Sequence, residues 1–315
     1  MTNELSNRIF HDEAKARQWL EAALWPAGPI CGHCGVVGQA TALETRPGWY
    51  QCNACRAQFS VTVGTLFERS HIPLNKWLMV AFLLCSSKKG ISAHQIHRMI
   101  GVSYKSTWFM MHRLREAMRD GHFPGPLGGD GKTVEADETF VGGKEKNKHA
   151  RKRMTIGKTN YHGGKEPVLS LVERQGSVRS FHVPAVNSHN LREVLVAQID
   201  RKSYLMTDAY TAYTMVGREF AKHETVSHEA GEYVRGEAHT NTVEGYFSIL
   251  KRGITGVYHH VSQQHLKRYL AEFDFRYNER SRLGVSDAER AAKALKGIVG
   301  KRLTYRRTGE RAARQ

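Results

Sequence analysis

The chain has 315 residues, 40% of them hydrophobic, which is enough for a sizeable core and too much for one small domain. Lys and Arg number 47 against 30 Asp and Glu, a formal charge of +17 that favours a polyanionic partner, nucleic acid first, with a merely basic soluble enzyme as the plain alternative. Residues 142–166 carry a net +6 and residues 301–315 a net +5, so two stretches hold 11 of the 17 charges.

The opening "MTNELSNRIFHDEAKARQWL" mixes both charge signs and lacks the apolar segment of a secretory signal. The longest strongly apolar run, Trp77 to Cys85, is well short of the ~20 residues that span a bilayer. These features predict a cytosolic chain without membrane spans.

"CGHC" (Cys31, Cys34) and "CNAC" (Cys52, Cys55) stand 17 residues apart, within zinc-ribbon spacing. Each C-x-x-C turn aims two thiolates at one point, and two such knuckles close a tetrahedral sulfur shell around a structural Zn²⁺. Two disulfides are the alternative, which a reducing compartment disfavours. Cys85, inside the apolar run, reads as a buried small hydrophobe.

From Gly64 to Met118 apolar residues recur at helical spacing, broken at Gly90 and Gly101, which predicts three helices. Ser92 with Gln95 forms a capping-box start, "GVS" a tight turn, and Ser103 a cap for the last helix. This is the outline of a helix-turn-helix. Met110, Met111, Leu114 and Met118 would face inward, leaving Tyr104, Lys105, Arg113 and Arg115 for a DNA groove. A helical hairpin with a solvated basic face is the duller reading.

Beyond residue 132 the pattern turns to short β-rich runs. Strands are predicted near 133–141, 167–173, 178–184, 203–207 and 222–226, with a helix near 189–200 and another from Asn241. Three successive strands followed by alternating helix and strand predict a mixed sheet with helices on its faces. Acidic residues stand at the ends of these elements: Glu135, Asp137 and Glu138 on the first strand, Asp208 after "YLMT", and Glu244 opening the last helix. Asp137, Asp208 and Glu244 can converge in such a sheet and hold Mg²⁺ or Mn²⁺ for phosphoryl transfer. Each also has an ordinary reading. Asn241 as N-cap with Glu244 three residues on makes a capping box, Asp208 can cap a helix, and Asp137 can be a solvated carboxylate on an edge strand.

The blocks "WPAGPICGHCG", "FSVTVGTLFERSHIPLNKW", "VEADETFVGG", "MTDAYTAY", "HTNTVEGYFSILKRG" and "LAEFDFRYNER" occur in an order that resembles the ISXO-type insertion-sequence transposases, over about Phe10 to Arg280. The resemblance implies a multidomain α+β chain: an N-terminal helix and zinc ribbon over 1–62, a helix-turn-helix over 63–125, a ribonuclease-H-like DDE catalytic domain over 130–285 and a basic tail over 286–315. It implies that Asp137, Asp208 and Glu244 are the catalytic acids, with Asn241 as the alternative third position. The 35 residues between Asp208 and Glu244 fit the DD(35)E spacing. Lys251 would hold a DNA phosphate beside Arg252, and Lys144, Lys148, Arg151, Lys152 and Arg153 of the basic loop would add backbone contacts. The implied chemistry is divalent-metal-dependent cleavage at element ends, followed by attack of the freed 3′-hydroxyl on target DNA. Implied partners are terminal inverted repeats, target DNA and further copies of the chain. A noncatalytic DNA-binding regulator and a nuclease that cuts without joining are the rival functions.

Overall fold

A computed structural model describes residues 4–119, 125–143, 149, 165–227, 230–232 and 234–304. The chain divides into two compact units, one from residues 1–87, 91–121 and 281–315 and the other from 88–90 and 122–280. The candidate DNA contacts Lys144, Lys148, Arg151, Lys152 and Arg153 lie outside the described residues. Among the described residues no helix is long and apolar enough to cross a membrane.

In the first unit, Asp12 starts helix α1 (Glu13–Leu24) by accepting from the N–H groups of Ala14 and Lys15. Strands β1 (Ala40–Ala42), β2 (Tyr50–Cys52) and β3 (Gln58–Phe59) form an antiparallel sheet beside the cysteines. Trp25, Tyr50 and Phe59 meet there at ring distances of 5.7–5.8 Å, a small aromatic core next to Cys31 and Cys52.

Helix α2 (Leu74–Ser86) is apolar nearly all round and buries Trp77, Leu78, Val80, Ala81, Leu84 and Cys85. Ser92 accepts from the Gln95 N–H to start α3 (Ala93–Ile100), which ends where Gly101 turns left-handed at φ 64°. Ser103 then opens α4 (Tyr104–Met118). The predicted turn and inward face of Met110, Met111, Leu114 and Met118 are all present.

In the second unit β4 (Thr133–Val141), β5 (Glu166–Glu173) and β6 (Val178–His182) are joined antiparallel. Helix α5 (Ser188–Gln198) leads to β7 (Tyr204–Asp208). A 3₁₀ turn (Thr211–Tyr213) and the short α6 (Thr214–Gly217) then lead to β8 (Lys222–Val226). The sheet order is β6-β5-β4-β7-β8, with β7 parallel to both β4 and β8. A hairpin of β9 (Val234–Arg235) and β10 (Ala238–His239) precedes α7 (Asn241–Gly253), which runs into a π-helical turn and then α8 (Gln263–Asn278).

Side chains alternate across the sheet. Val134, Ala136, Leu169 and Leu171 pack with Leu191 and Leu195 of α5, while Val141, Val168 and Val172 pack with Val243, Phe247 and Leu250 of α7. The odd-numbered β4 positions therefore share the α7 face, and Glu135 and Asp137 are among them. Asp274 of α8 fastens that layer by accepting from Ser180 N–H (2.8 Å), Ser180 Oγ (2.7 Å) and the Tyr246 hydroxyl (2.5 Å).

Helix α9 (Asp287–Lys296) returns to the first unit, opened by a reciprocal Ser286–Glu289 capping box. The expectation of a basic tail from 286 is corrected here: Arg290, Ala291, Ala294 and Leu295 are buried, and α9 packs on α2 and α4. Four residues on one helical face, three of them apolar, are a core stripe and not a solvated tail.

Candidate active site

The geometry starts from strand register. β4 and β7 pair in parallel from Thr133↔Tyr204 to Glu135↔Met206, an offset of 71 residues that Asp137 and Asp208 share. The two acids thus stand level on neighbouring strands. β4 is the middle strand of five, and Asp137 is half-buried, opposite Ser170 of β5. The reading of Asp137 as a solvated edge-strand carboxylate is corrected accordingly. Asp208 does not cap a helix; its Oδ1 accepts from the N–H of Tyr210 (3.1 Å) in a local turn.

Burial pushes the Asp137 carboxyl up to about 8, reinforced by the neighbouring charges of Glu138, Asp208 and Glu244. Glu138 is held at about 7 chiefly by burial, with Asp208 adding to it, although the Tyr213 hydroxyl donates to it at 2.6 Å. Four carboxylates from three elements therefore act on one another. Such a hard-oxygen donor set, with more negative charge than its burial tolerates, suits a divalent cation. Among the described residues, none of these acids draw their oxygens together as tightly as the four cysteine sulfurs do.

Helix α7 departs from the predicted capping box. Thr240 is its N-cap, Asn241 its first helical residue, exposed, and Glu244 its fourth. The orphan N–H groups of Thr242 and Val243 donate instead to Glu135 Oε2, at 2.8 and 3.0 Å, and the Thr242 hydroxyl donates to Oε1 at 2.8 Å. A full negative charge satisfies a helix N-terminus better than the neutral Asn241 amide would. Glu135 is completely buried and also takes the Arg174 Nε at 2.7 Å; Arg174 in turn donates to the His239 carbonyl just before α7. Glu244 Oε1 accepts from the Thr240 hydroxyl at 3.0 Å. Glu135 thus ties the helix that carries Glu244 to the strand that carries Asp137.

Sequence reading noticed Glu135 and Glu138 without giving them roles, and it missed Arg174 and Tyr213. The available signal was Glu135 itself, a second carboxylate two residues before Asp137 and so on the same face of the strand. Lys251 lies two turns after Glu244, exposed, with its ammonium 5.9 Å from the Phe247 ring. Arg252 is exposed, its Nε donating to the Ser248 carbonyl at 3.0 Å.

The helix-turn-helix candidates divide. Tyr104 and Lys105 are exposed at the start of α4. Arg113 is half-buried, lies over the Phe109 ring and donates to the Leu303 carbonyl at 3.3 Å. Arg115 is buried, at 1% exposure, and the expectation that it faces a groove is corrected. Helix α4 packs against α2, α3 and α9, so its buried face is wider than the methionine stripe alone indicates.

The four cysteine sulfurs lie within 4.8 Å of one another. Cys31–Cys55 and Cys34–Cys52 are 3.7 and 3.6 Å apart, close to the ~3.8 Å edge of a tetrahedron with Zn–S bonds of about 2.3 Å. Gly35 (φ 76°) and Arg56 (φ 62°) follow the two knuckles in the same left-handed turn. Backbone amides, that of Cys55 first, lower the Cys52 thiol to about 6, whereas, against the Val36 amide, desolvation and the neighbouring sulfurs push Cys34 up to about 12, so the sulfurs share protons that a bound cation would displace.

A mixed sheet of three antiparallel strands continued by two parallel ones, with helices on both faces and a carboxylate cluster at its centre, is the ribonuclease-H-like catalytic class, here in a chain that also carries a zinc ribbon. Residues 126–278 match the ISXO2-like transposase domain and residues 11–58 the transposase zinc-ribbon domain. The chain thus carries an ISXO2-like transposase domain behind a transposase zinc ribbon. It is 28% identical over 284 residues to an uncharacterized protein in transposable element ISH50 of Halobacterium salinarum, covering 85% of this chain and 92% of that one. A solved pre-cleavage Mos1 transpososome aligns over 65% of this chain and 70% of its own, at 10% identity and a TM-score of 0.27.

Proposed function

We propose that this transposase binds the terminal inverted repeats of its insertion sequence and catalyses divalent-metal-dependent cleavage and strand transfer into target DNA. The observation that carries the reading is the register-matched pair Asp137 and Asp208 under a helix whose Glu244 acts on Asp137 electrostatically. Asp137, Asp208 and Glu244 would hold Mg²⁺ or Mn²⁺, which when bound supplies Lewis-acid charge at a phosphodiester. Glu135 and Arg174 orient the α7 end of the site, and Tyr213 orients Glu138. Glu244 is preferred to Asn241 because its charge acts on Asp137, whereas an amide carries none.

Lys251 and Arg252 extend the α7 surface toward DNA phosphates, and Tyr104 and Lys105 present the start of α4 to a groove. Zn²⁺ in the cysteine shell is structural, with no open position for chemistry. Two element ends must be held together, so the active form is an oligomer on DNA, working in the cytoplasm. The test is a reaction with labelled element ends and Mg²⁺, followed for both nicking and joining. Joined products support transposition, cleavage alone supports a nuclease, and end binding without cleavage supports a noncatalytic regulator.

A further inference from the structure

Tyr210 sits beside the acid cluster with 43% of its surface exposed. Its placement is tightly specified. Its N–H is bonded to Asp208 Oδ1 at 3.1 Å, and its ring meets Tyr213 edge-on at 6.5 Å. Tyr213 is itself fully buried and anchored through its hydroxyl to Glu138. An exposed aromatic ring is therefore held in fixed relation to two of the site's carboxylates.

The short turn and helix that follow leave Met215 65% exposed and Arg218 exposed, so an aromatic, a thioether and a cation are offered to solvent within ten residues of Asp208. Single exposed apolar residues need no explanation, but an aromatic and a cation in series at the rim of a phosphodiester-cleaving site match what single-stranded nucleic acid requires. Base faces stack on aromatic rings, and guanidinium groups take the phosphates between them. A nucleotide beside the scissile phosphate that leaves the stack needs a surface to rest on, and an exposed ring next to the acids offers one.

We propose that Tyr210 is the stacking platform for the base adjoining the scissile phosphate, with Arg218 contacting the next phosphate. Tyr210 is a substrate-positioning residue, and its role rests on the reading of the site as a DNA-cleaving one. It binds the displaced base and takes no part in proton transfer, so the phenol oxygen is dispensable and the ring is not.

The test is a cycle between the side chain and the base, using the full chain with labelled element-end duplexes and Mg²⁺. Tyr210→Ala should slow cleavage of the intact end by about tenfold or more, as expected from losing one stacked base, while Tyr210→Phe keeps the wild-type rate. When the base adjoining the cut is replaced by an abasic nucleotide, wild type and Tyr210→Ala should cleave equally. Thermal melts of the variants, expected to match wild type at an exposed position, separate a folding defect from a substrate effect. Equal rates for Tyr210→Ala and wild type on the intact end would overturn the proposal, as would a Tyr210→Ala defect that persists on the abasic end. A Tyr210→Phe rate as low as that of Tyr210→Ala would move the role to the hydroxyl and overturn stacking. A wild-type chain that cleaves no element end under any divalent ion would instead overturn the reading of the site, and the platform with it.

Discussion

Glu135→Gln is the most informative single substitution, because it changes one charge and almost no volume at a fully buried position. The carboxylate accepts from Arg174 Nε, from two backbone N–H groups of α7 and from the Thr242 hydroxyl. A glutamine offers one acceptor oxygen and turns an NH₂ group toward donors, so either the guanidinium or the helix end loses its partner. Charge-assisted bonds contribute about 1.5–3 kcal/mol each, but they share one carboxylate here and do not sum. The better guide is the ~3–5 kcal/mol lost when one partner of a buried ion pair is removed. That is a large part of the ~5–15 kcal/mol that holds a typical domain together. The probe matters, since all five tryptophans precede residue 109 and none reports on the catalytic unit. Urea unfolding should therefore be followed by far-UV ellipticity and by amide exchange at Thr242 and Val243, whose protection should collapse. Cleavage should fall with it, because Glu244 rides on the freed helix. A stability change below about 1 kcal/mol, with α7 protection intact, would refute the claim that Glu135 anchors the helix.

Asp137→Asn, Asp208→Asn and Glu244→Gln should each reduce Mg²⁺-dependent cleavage on the order of a hundredfold or more while end binding persists. Asn241→Ala, at an exposed first helical position without a capping bond, should stay within about 0.5 kcal/mol of wild type and remain active; a dead but folded Asn241→Ala would give it the third role. In metal-free protein, Asp137 keeps its proton from the ordinary carboxylate range up to about 8 and Glu138 up to about 7, while the unfolded chain has already lost both. Stability should therefore fall as pH rises from about 4 to about 8, and added Mg²⁺ should narrow the loss; melts at several pH values with and without the ion will show it, and a rise in that window would contradict the burial argument. Elemental analysis of reduced, folded protein should find one zinc per chain, lost together with the ribbon fold when Cys34 is replaced by Ser. Lys105→Ala should weaken end binding and flatten its salt dependence in gel shifts, and an unchanged slope would return α4 to a purely structural role.

Much of this was legible beforehand because local signals and tertiary demands agree. The β-rich runs over 133–141 and 222–226 form strands as expected, Ser92 and Ser103 cap the helices they precede, and two C-x-x-C turns specify their own geometry. The failures share a cause, which is that the deciding partner is distant in sequence. Asn241 looked like a cap because the real one, Glu135, comes from a strand more than a hundred residues earlier. Arg115 looked exposed because the periodicity of α4 does not show how many helices pack on it, α9 some 170 residues later among them. At the candidate site the acids were recognisable as types, but only strand pairing sets Asp208 level with Asp137.

The first unit is assembled from both ends of the chain, with the catalytic unit inserted between its helices and α9. During synthesis the ribbon and the α2–α4 segment leave the ribosome first, yet the stripe of α2 that α9 covers stays open until residues 287–296 emerge. A chain cut short anywhere in the catalytic unit then lacks part of the core of its own first unit. Copies that end before α9 would leave the apolar stripe of α2 uncovered, so the fold of the first unit depends on a segment translated after the catalytic unit.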